Sequence, residues 1–139
     1  MNESQEQHIR MQFDDGESGH GAIVEPGLAR IDNIPYTDRL NLSDIVKVER
    51  DDGCWIAREV VRRVLPKKTA FDYDPPFKET FATLFDAWRK AGISFEGVFE
   101  GLVLVAHRDD QNPMDVAAQA GVTLRLHSPQ PELEPVPVP

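Results

Sequence analysis

The feature that most constrains this chain is a run of large apolar residues at helical spacing, Phe77, Phe81, Leu84, Phe85 and Trp88, set in a sequence otherwise punctuated for short strands. Those spacings place all five on one stripe of an α-helix, which must be buried against another element. Asp74-Pro75-Pro76 supplies a cap followed by prolines tolerated in a first turn, and Gly92 ends the helix in the left-handed conformation. A strand over Thr69 to Tyr73 precedes it. Strands over Phe95 to Glu100 and Leu102 to His107 follow, on either side of Gly101. Asp109 to Pro113 reads as a loop, Met114 to Ala120 as a short helix stopped by Gly121, and Val122 to His127 as the last strand.

That order is β-α-β-β-α-β, the split arrangement of ferredoxin-like domains. In it the first and third strands are central, and Leu102-Val103-Leu104-Val105-Ala106 is apolar on both faces, as a central strand requires. Val122, Leu124 and Leu126 alternate with Thr123, Arg125 and His127, the pattern of an edge strand with one wet face. Whichever of the Val103/Val105 and Leu102/Leu104 pairs meets the helices, the other leaves an apolar stripe on the open face. Soluble monomers seldom leave such a stripe bare. It is expected to be covered by the N-terminal half or by a second copy, with Thr123 and Arg125 as a polar rim.

The N-terminal half has a strand rhythm. His8 to Phe13 alternates until Asp14-Asp15-Gly16 breaks it, Ala22 to Glu25 and Leu28 to Ile31 flank a Pro26-Gly27 turn, and Gly16 to His20 reads as a flexible loop. Ser43-Asp44 leads into Ile45 to Glu49, and Asp51-Asp52-Gly53 joins that run to Cys54-Trp55-Ile56-Ala57 as a hairpin. Beyond it, Arg58, Arg62 and Arg63 fit neither face and predict a bulge or an edge strand. The expected fold class is therefore α+β. A β-rich half, a curled sheet or barrel over residues 8–66, precedes a ferredoxin-like βαββαβ half over 67–127. Residues 1–7 and the proline-rich 128–139 are expected to be disordered, the latter with a polyproline docking strand as its alternative.

Between Arg30-Ile31-Asp32-Asn33-Ile34-Pro35-Tyr36 and Leu42-Ser43-Asp44-Ile45-Val46 the chain resembles a family of small bacterial proteins known as domain of unknown function 4265. The resemblance covers most of His8 to His127. It implies a fold and leaves function open, since no activity is established for that family. Read by themselves, Asp32 and Asn33 make a turn that Pro35 closes, and Asp44 caps amides at a strand entry, with ligand contact as the alternative for each.

Net charge narrows function further. A formal charge of −9 repels phosphate backbones, so nucleic acid is not an expected partner. No apolar run reaches the ~18 residues of a membrane span, which predicts a cytoplasmic protein without membrane contact. Cys54 is the only cysteine, and it reads as a small strand thiol rather than a nucleophile. His8, His20, His107 and His127 show no metal-ligand spacing. With the last strand antiparallel to the third, the ends bearing His107 and His127 fall at opposite edges of the sheet, roughly 15 to 20 Å apart. The Asp pairs at 14–15, 51–52 and 109–110 sit in turns and nothing aims them at one another, so no catalytic residues, metal or cofactor are implied. Arg58, Arg62, Arg63, Lys67 and Lys68 form a basic run, either a solvated edge or an anion site. The chain is expected to be a non-enzymatic interaction or regulatory module with a protein partner, a basic one among the options, or a homodimer. Asp32, Asn33, Asp44, Val103, Val105 and Arg125 are the candidate contact residues. The alternative is a small-ligand sensor with its site between the two halves.

Overall fold

The structure is a computed structural model that describes residues 6–73, 78–99 and 101–136. The chain forms two compact units, one of Met1–Leu65 with Leu133–Pro139 and the other of Pro66–Glu132. The fold class is α+β, strand-rich, with two helices among the described residues.

The first unit is a closed five-stranded barrel of β1 (Gln7–Asp14), β2 (Glu17–Glu25), β3 (Leu28–Ile31), β4 (Ile45–Asp51) and β5 (Cys54–Arg62). Each strand pairs antiparallel with the next. Five alternating strands leave the first and last pointing the same way, so the pair that closes the barrel has to be parallel. It is short, with only Met11↔Trp55 and Gln12↔Ile56 in register. The β4–β5 hairpin turns on Asp52 and Gly53, both at positive φ, the conformation that favours Asp-Gly. The expected irregularity after Ala57 is present as register shifts of β4 against β5 at Val46. Ile9, Met11, Phe13, Ile31, Leu40, Val46 and Val48 fill the interior.

Within the segment expected to be a flexible loop at Gly16 to His20, Gly16 stays in a turn and Glu17 to His20 instead open β2. Its glycines belong to the barrel's packing: a Cβ on Gly21 would run into the Arg30 carbonyl oxygen and the Met11 methyl, and one on Gly19 into the Phe13 ring and Asn33 Oδ1. The N-terminal limit also moves. Gln7 opens β1 opposite Ile23, and Glu6 grips Arg30 through both carboxylate oxygens, so the expected disordered stretch 1–7 does not extend to these two residues. Met1 to Gln5 lie outside the described residues.

The second unit consists of β6 (Lys67–Asp72), α1 (Lys78–Lys90), β7 (Ser94–Phe99), β8 (Leu102–His107), α2 (Pro113–Gln119) and β9 (Arg125–Leu126). Its sheet runs β7-β8-β6-β9, antiparallel throughout. Leu84 and Trp88 are fully buried and Phe81 and Phe85 partly so, as the stripe predicts; Phe77 and the Asp74-Pro75-Pro76 cap lie outside the described residues. Phe85 stacks on Phe95 at 4.5 Å between centroids, and the Trp88 indole N–H donates to the Pro113 carbonyl at 2.9 Å. Helix α2 starts one residue earlier than expected because the Asn112 side chain accepts from the Asp115 N–H and Pro113 occupies the first turn.

Two expectations for this unit need correction. The last strand shrinks to two residues and Leu126 is exposed rather than inward, although Val122 and Leu124 are buried. Strand β9 pairs antiparallel with β6, and so does β8, so the last and third strands are parallel. His107 and His127 therefore sit two strands and about three residues apart, roughly 14 Å. All six residues of β8 are buried, Leu102, Leu104 and Ala106 as completely as Val103 and Val105. The apolar stripe is therefore not left bare, as expected.

The proline-rich end, expected to be a disordered tail, is held at Gln130, Glu134 and Val136. In the second unit the Gln130 amide accepts from the Ala70 N–H at 3.0 Å and donates to the Ala70 carbonyl, taking up main-chain groups of β6 beside the short β9. In the barrel unit, Glu134 is held at both backbone polar groups and Val136 packs against the core.

Candidate binding groove at the barrel seam

Odd strand number has a local consequence. Past Gln12 and Ile56, β1 and β5 diverge with no ladder to join them, and a guanidinium takes the place of the missing bonds. Arg39 Nη2 donates to the Phe13 carbonyl at 2.6 Å and the Ala57 carbonyl at 3.3 Å, and Nη1 donates to the Arg58 carbonyl at 3.3 Å. An arginine suits this task because its planar fork presents several fixed donors and it never loses its charge.

Arg39 is placed from behind by a buried ion pair. Asp44, wholly buried, accepts from Arg63 Nε and Nη2, each at 3.1 Å, and from the Asn41 N–H at 2.7 Å. The Arg63 Nη2 also donates to the Arg39 carbonyl at 3.0 Å, and Nη1 to the Glu134 carbonyl at 2.7 Å. Bidentate charge-assisted bonding of this kind fixes both side chains.

In front of Arg39 the seam opens into a cavity of about 640 Å³. Asp14, Asp15, Asp51, Glu59 and Glu134 contribute five carboxylates to its lining, against the guanidinium groups of Arg39 and Arg58. Both cations are engaged, Arg39 with carbonyls and Arg58 with Glu49 at 3.1 Å. Glu59 is paired with Lys47 at 2.6 Å, and that hydrogen bond, with the attached Coulombic attraction, raises the lysine's pKa. The associated stabilisation is present below the ordinary lysine range and is lost only as pH climbs through the raised value, so it is constant near neutrality. Among these carboxylates, Asp14 also accepts from the Asp15 N–H and the Thr37 hydroxyl. The groove is an acidic slot with an apolar floor of Ile56, Ala57 and Val60.

Of the residues singled out by sequence, Asp32 and Asn33 serve the barrel wall. Asp32 binds Arg30 Nε at 2.7 Å, and together with Glu6 it holds the guanidinium's pKa above its usual value; Asn33 Oδ1 accepts from the His20 N–H at 2.7 Å. Asp44 caps an amide as expected, and in addition anchors Arg63. Val103 and Val105 are packed with Leu84 and Trp88 in the second unit and offer nothing to a ligand. Arg125 is exposed on β9 opposite Asp72. Four of the five members of the basic run are placed separately: Arg58 meets Glu49, Arg63 meets Asp44, Lys67 meets Asp109, and Lys68 is buried; Arg62 is exposed at the end of β5. Sequence reasoning missed Arg39 and Glu134, because a side chain that bonds distant carbonyls, or a backbone that is held by them, has no periodic or motif signal.

Among the described residues no group of three His, Cys, Asp or Glu side chains is placed to hold a metal ion, and no helix is long and apolar enough to cross a membrane. Cys54 is exposed at the hairpin turn.

No protein-family model matches this chain, and no curated protein does. One solved structure, described as a hypothetical protein from Neisseria gonorrhoeae, is similar, with a TM-score of 0.50 and 18% identity over 89% of this chain and 95% of that one. A likeness at that identity shows a shared fold.

Proposed function

We propose that this chain is a non-enzymatic interaction module whose barrel unit receives a basic partner in the acidic groove at the seam. The carrying observation is the groove's composition: five carboxylates line it against two guanidinium groups, and the one pairing on each side, Glu59 with Lys47 and Arg58 with Glu49, leaves the excess of carboxylates in place. Charge complementarity of this kind steers a cationic segment and excludes nucleic acid. A second reading, a sensor for a small cationic ligand, is favoured by the cavity volume, which falls within the range that small-molecule sites use. In this reading of the molecule the second unit is a ferredoxin-like domain, supported by its sheet order and antiparallel pairing. Membership of the domain of unknown function 4265 family, supported by the Arg30–Tyr36 and Leu42–Val46 patterns, and a cytoplasmic location belong to the same proposal.

Labelled octalysine and spermine, titrated into the full-length protein by isothermal calorimetry, test it. The triple variant Asp14→Asn, Asp15→Asn, Asp51→Asn is expected to bind octalysine roughly tenfold more weakly than wild type, with a shallower salt dependence. A control triple variant that neutralises Glu25, Asp86 and Asp110, all outside the groove, is expected to change little. Equal weakening by both triples refutes the groove, since only net charge would then matter. Spermine binding without octalysine binding selects the sensor.

A further inference from the structure

The chain supplies its own ligand to the barrel. The Glu134 N–H donates to the Asp38 carbonyl at 3.1 Å, and the Glu134 carbonyl accepts from Arg63 Nη1 at 2.7 Å. Two bonds of opposite sense on one residue's backbone are what an extended strand receives from a neighbour, and they read no side chain. Pro135 brings no N–H that would need a partner. Val136, two residues from the clamped position, packs against the barrel core. Arg63 is immobilised by its fork on Asp44, so the clamp is preorganised before any segment arrives.

The clamped residue nevertheless carries the wrong charge for its surroundings. Glu134 shares the groove's lining with four other carboxylates, Asp14, Asp15, Asp51 and Glu59, against the two guanidinium groups of Arg39 and Arg58, so the lining around it is acidic on balance. A lysine or arginine in its place would keep both backbone bonds and reverse the sign of that interaction.

We propose that this slot is a docking site for an extended partner segment of the pattern basic residue, proline, β-branched residue, with the chain's own Glu134–Val136 as its resting occupant. The basic first residue rests on the acidic-groove reading given above; the slot itself rests on the backbone clamp and the Val136 contact. A tethered segment competes at an effective concentration of roughly millimolar. The charge mismatch lowers that self-occupancy and lets a matched segment displace it.

Two labelled peptides test the inference, one with the sequence of residues 132–139 and one carrying the Glu134→Lys change. Each is titrated by fluorescence anisotropy into the full-length protein and into full-length Val136→Asp, which unseats the resident segment. The lysine peptide is expected to bind Val136→Asp about tenfold more tightly than wild type, because the tethered competitor is gone. It is also expected to bind that variant about fivefold more tightly than the unaltered peptide, with the gap closing in high salt. Absence of binding to a folded Val136→Asp protein overturns the slot. Equal affinity of the two peptides leaves the slot standing and overturns the basic preference, together with the acidic-groove reading on which it depends. If circular dichroism shows Val136→Asp unfolded, the wild type decides. Its Glu134 amide is expected to exchange slowly with solvent and to exchange several-fold faster in about 10 mM lysine peptide, an excess over the tethered segment; an unchanged rate overturns the proposal.

Discussion

The two units reach stability by different routes. In the sheet unit the central object is an aromatic block, Trp88 with Phe71, Phe85 and Phe95, in which neighbouring rings lie 4.5 to 6.4 Å apart on one face of the sheet. In the barrel the interior is small, two inward positions of β2 are glycine, and polar side chains do what apolar area does elsewhere: Asp44 and Arg63 form a buried pair, and Arg39 joins strands that do not pair. A helix on a sheet has room for large rings. Five strongly curved strands have little, so tolerance at single atomic positions is lower in the barrel than in the sheet unit.

The largest test of that contrast is removal of the sheet unit's apolar mass. Trp88→Ala is expected to cost about 3 to 5 kcal/mol, from lost contacts and the lost indole hydrogen bond. Urea denaturation followed by circular dichroism checks it, and a loss below about 1 kcal/mol would show that the block is not the unit's core. The barrel's counterpart is polar. Asp44→Ala leaves the nearly buried Arg63 guanidinium without its carboxylate, a loss of about 3 to 5 kcal/mol. The double change Asp44→Leu with Arg63→Met is expected to recover part of it, because two apolar groups in contact need no pairing; no recovery would mean that the bonds to Arg39 and Glu134 dominate.

Glycines give a finer comparison. Gly21→Ala pushes a methyl against a backbone carbonyl that has nowhere to go, and is expected to destabilise by about 1 to 3 kcal/mol. Gly97→Ala in β7 meets nothing within 4 Å and is expected to be neutral or to stabilise by up to about 1 kcal/mol. Similar losses at both sites would erase the distinction between the units. A similarly small effect is expected at the seam. Arg39→Lys keeps the charge but cannot reach three carbonyls at once, and should cost about 1 kcal/mol. Hydrogen exchange should quicken at Phe13 and Arg58 more than at Val46, and uniform quickening would show that Arg39 does not act locally.

How much of this was legible in the sequence differs between the units for the same reason. Helix α1 is set by local periodicity, and Phe81, Leu84, Phe85 and Trp88 identify their own partners by size. Strand β8 announces its central place because apolar residues on both faces have only one stable setting. In the barrel, Gly-Glu-Ser-Gly-His reads as a loop, since glycine in a strand is favourable only when another group crowds that position, and crowding is a property of the closed sheet. Asp44 was visible as a capping residue, whereas its pairing with Arg63 spans nineteen positions and leaves no pattern.

The sequence by itself determined what depends on neighbours along the chain: the helix stripe, the Asp52-Gly53 turn, the two-sided apolar strand, the lack of a long apolar run, and the acidic charge. Only the tertiary structure decided what depends on closure. Five strands return in parallel and pair for two residues, so Arg39 is needed at the seam, a groove opens in front of it, and Glu134 to Val136 becomes bound backbone instead of a loose proline-rich end. A hydrogen bond between distant residues requires only that two groups meet, and nothing in the local order of side chains records that meeting.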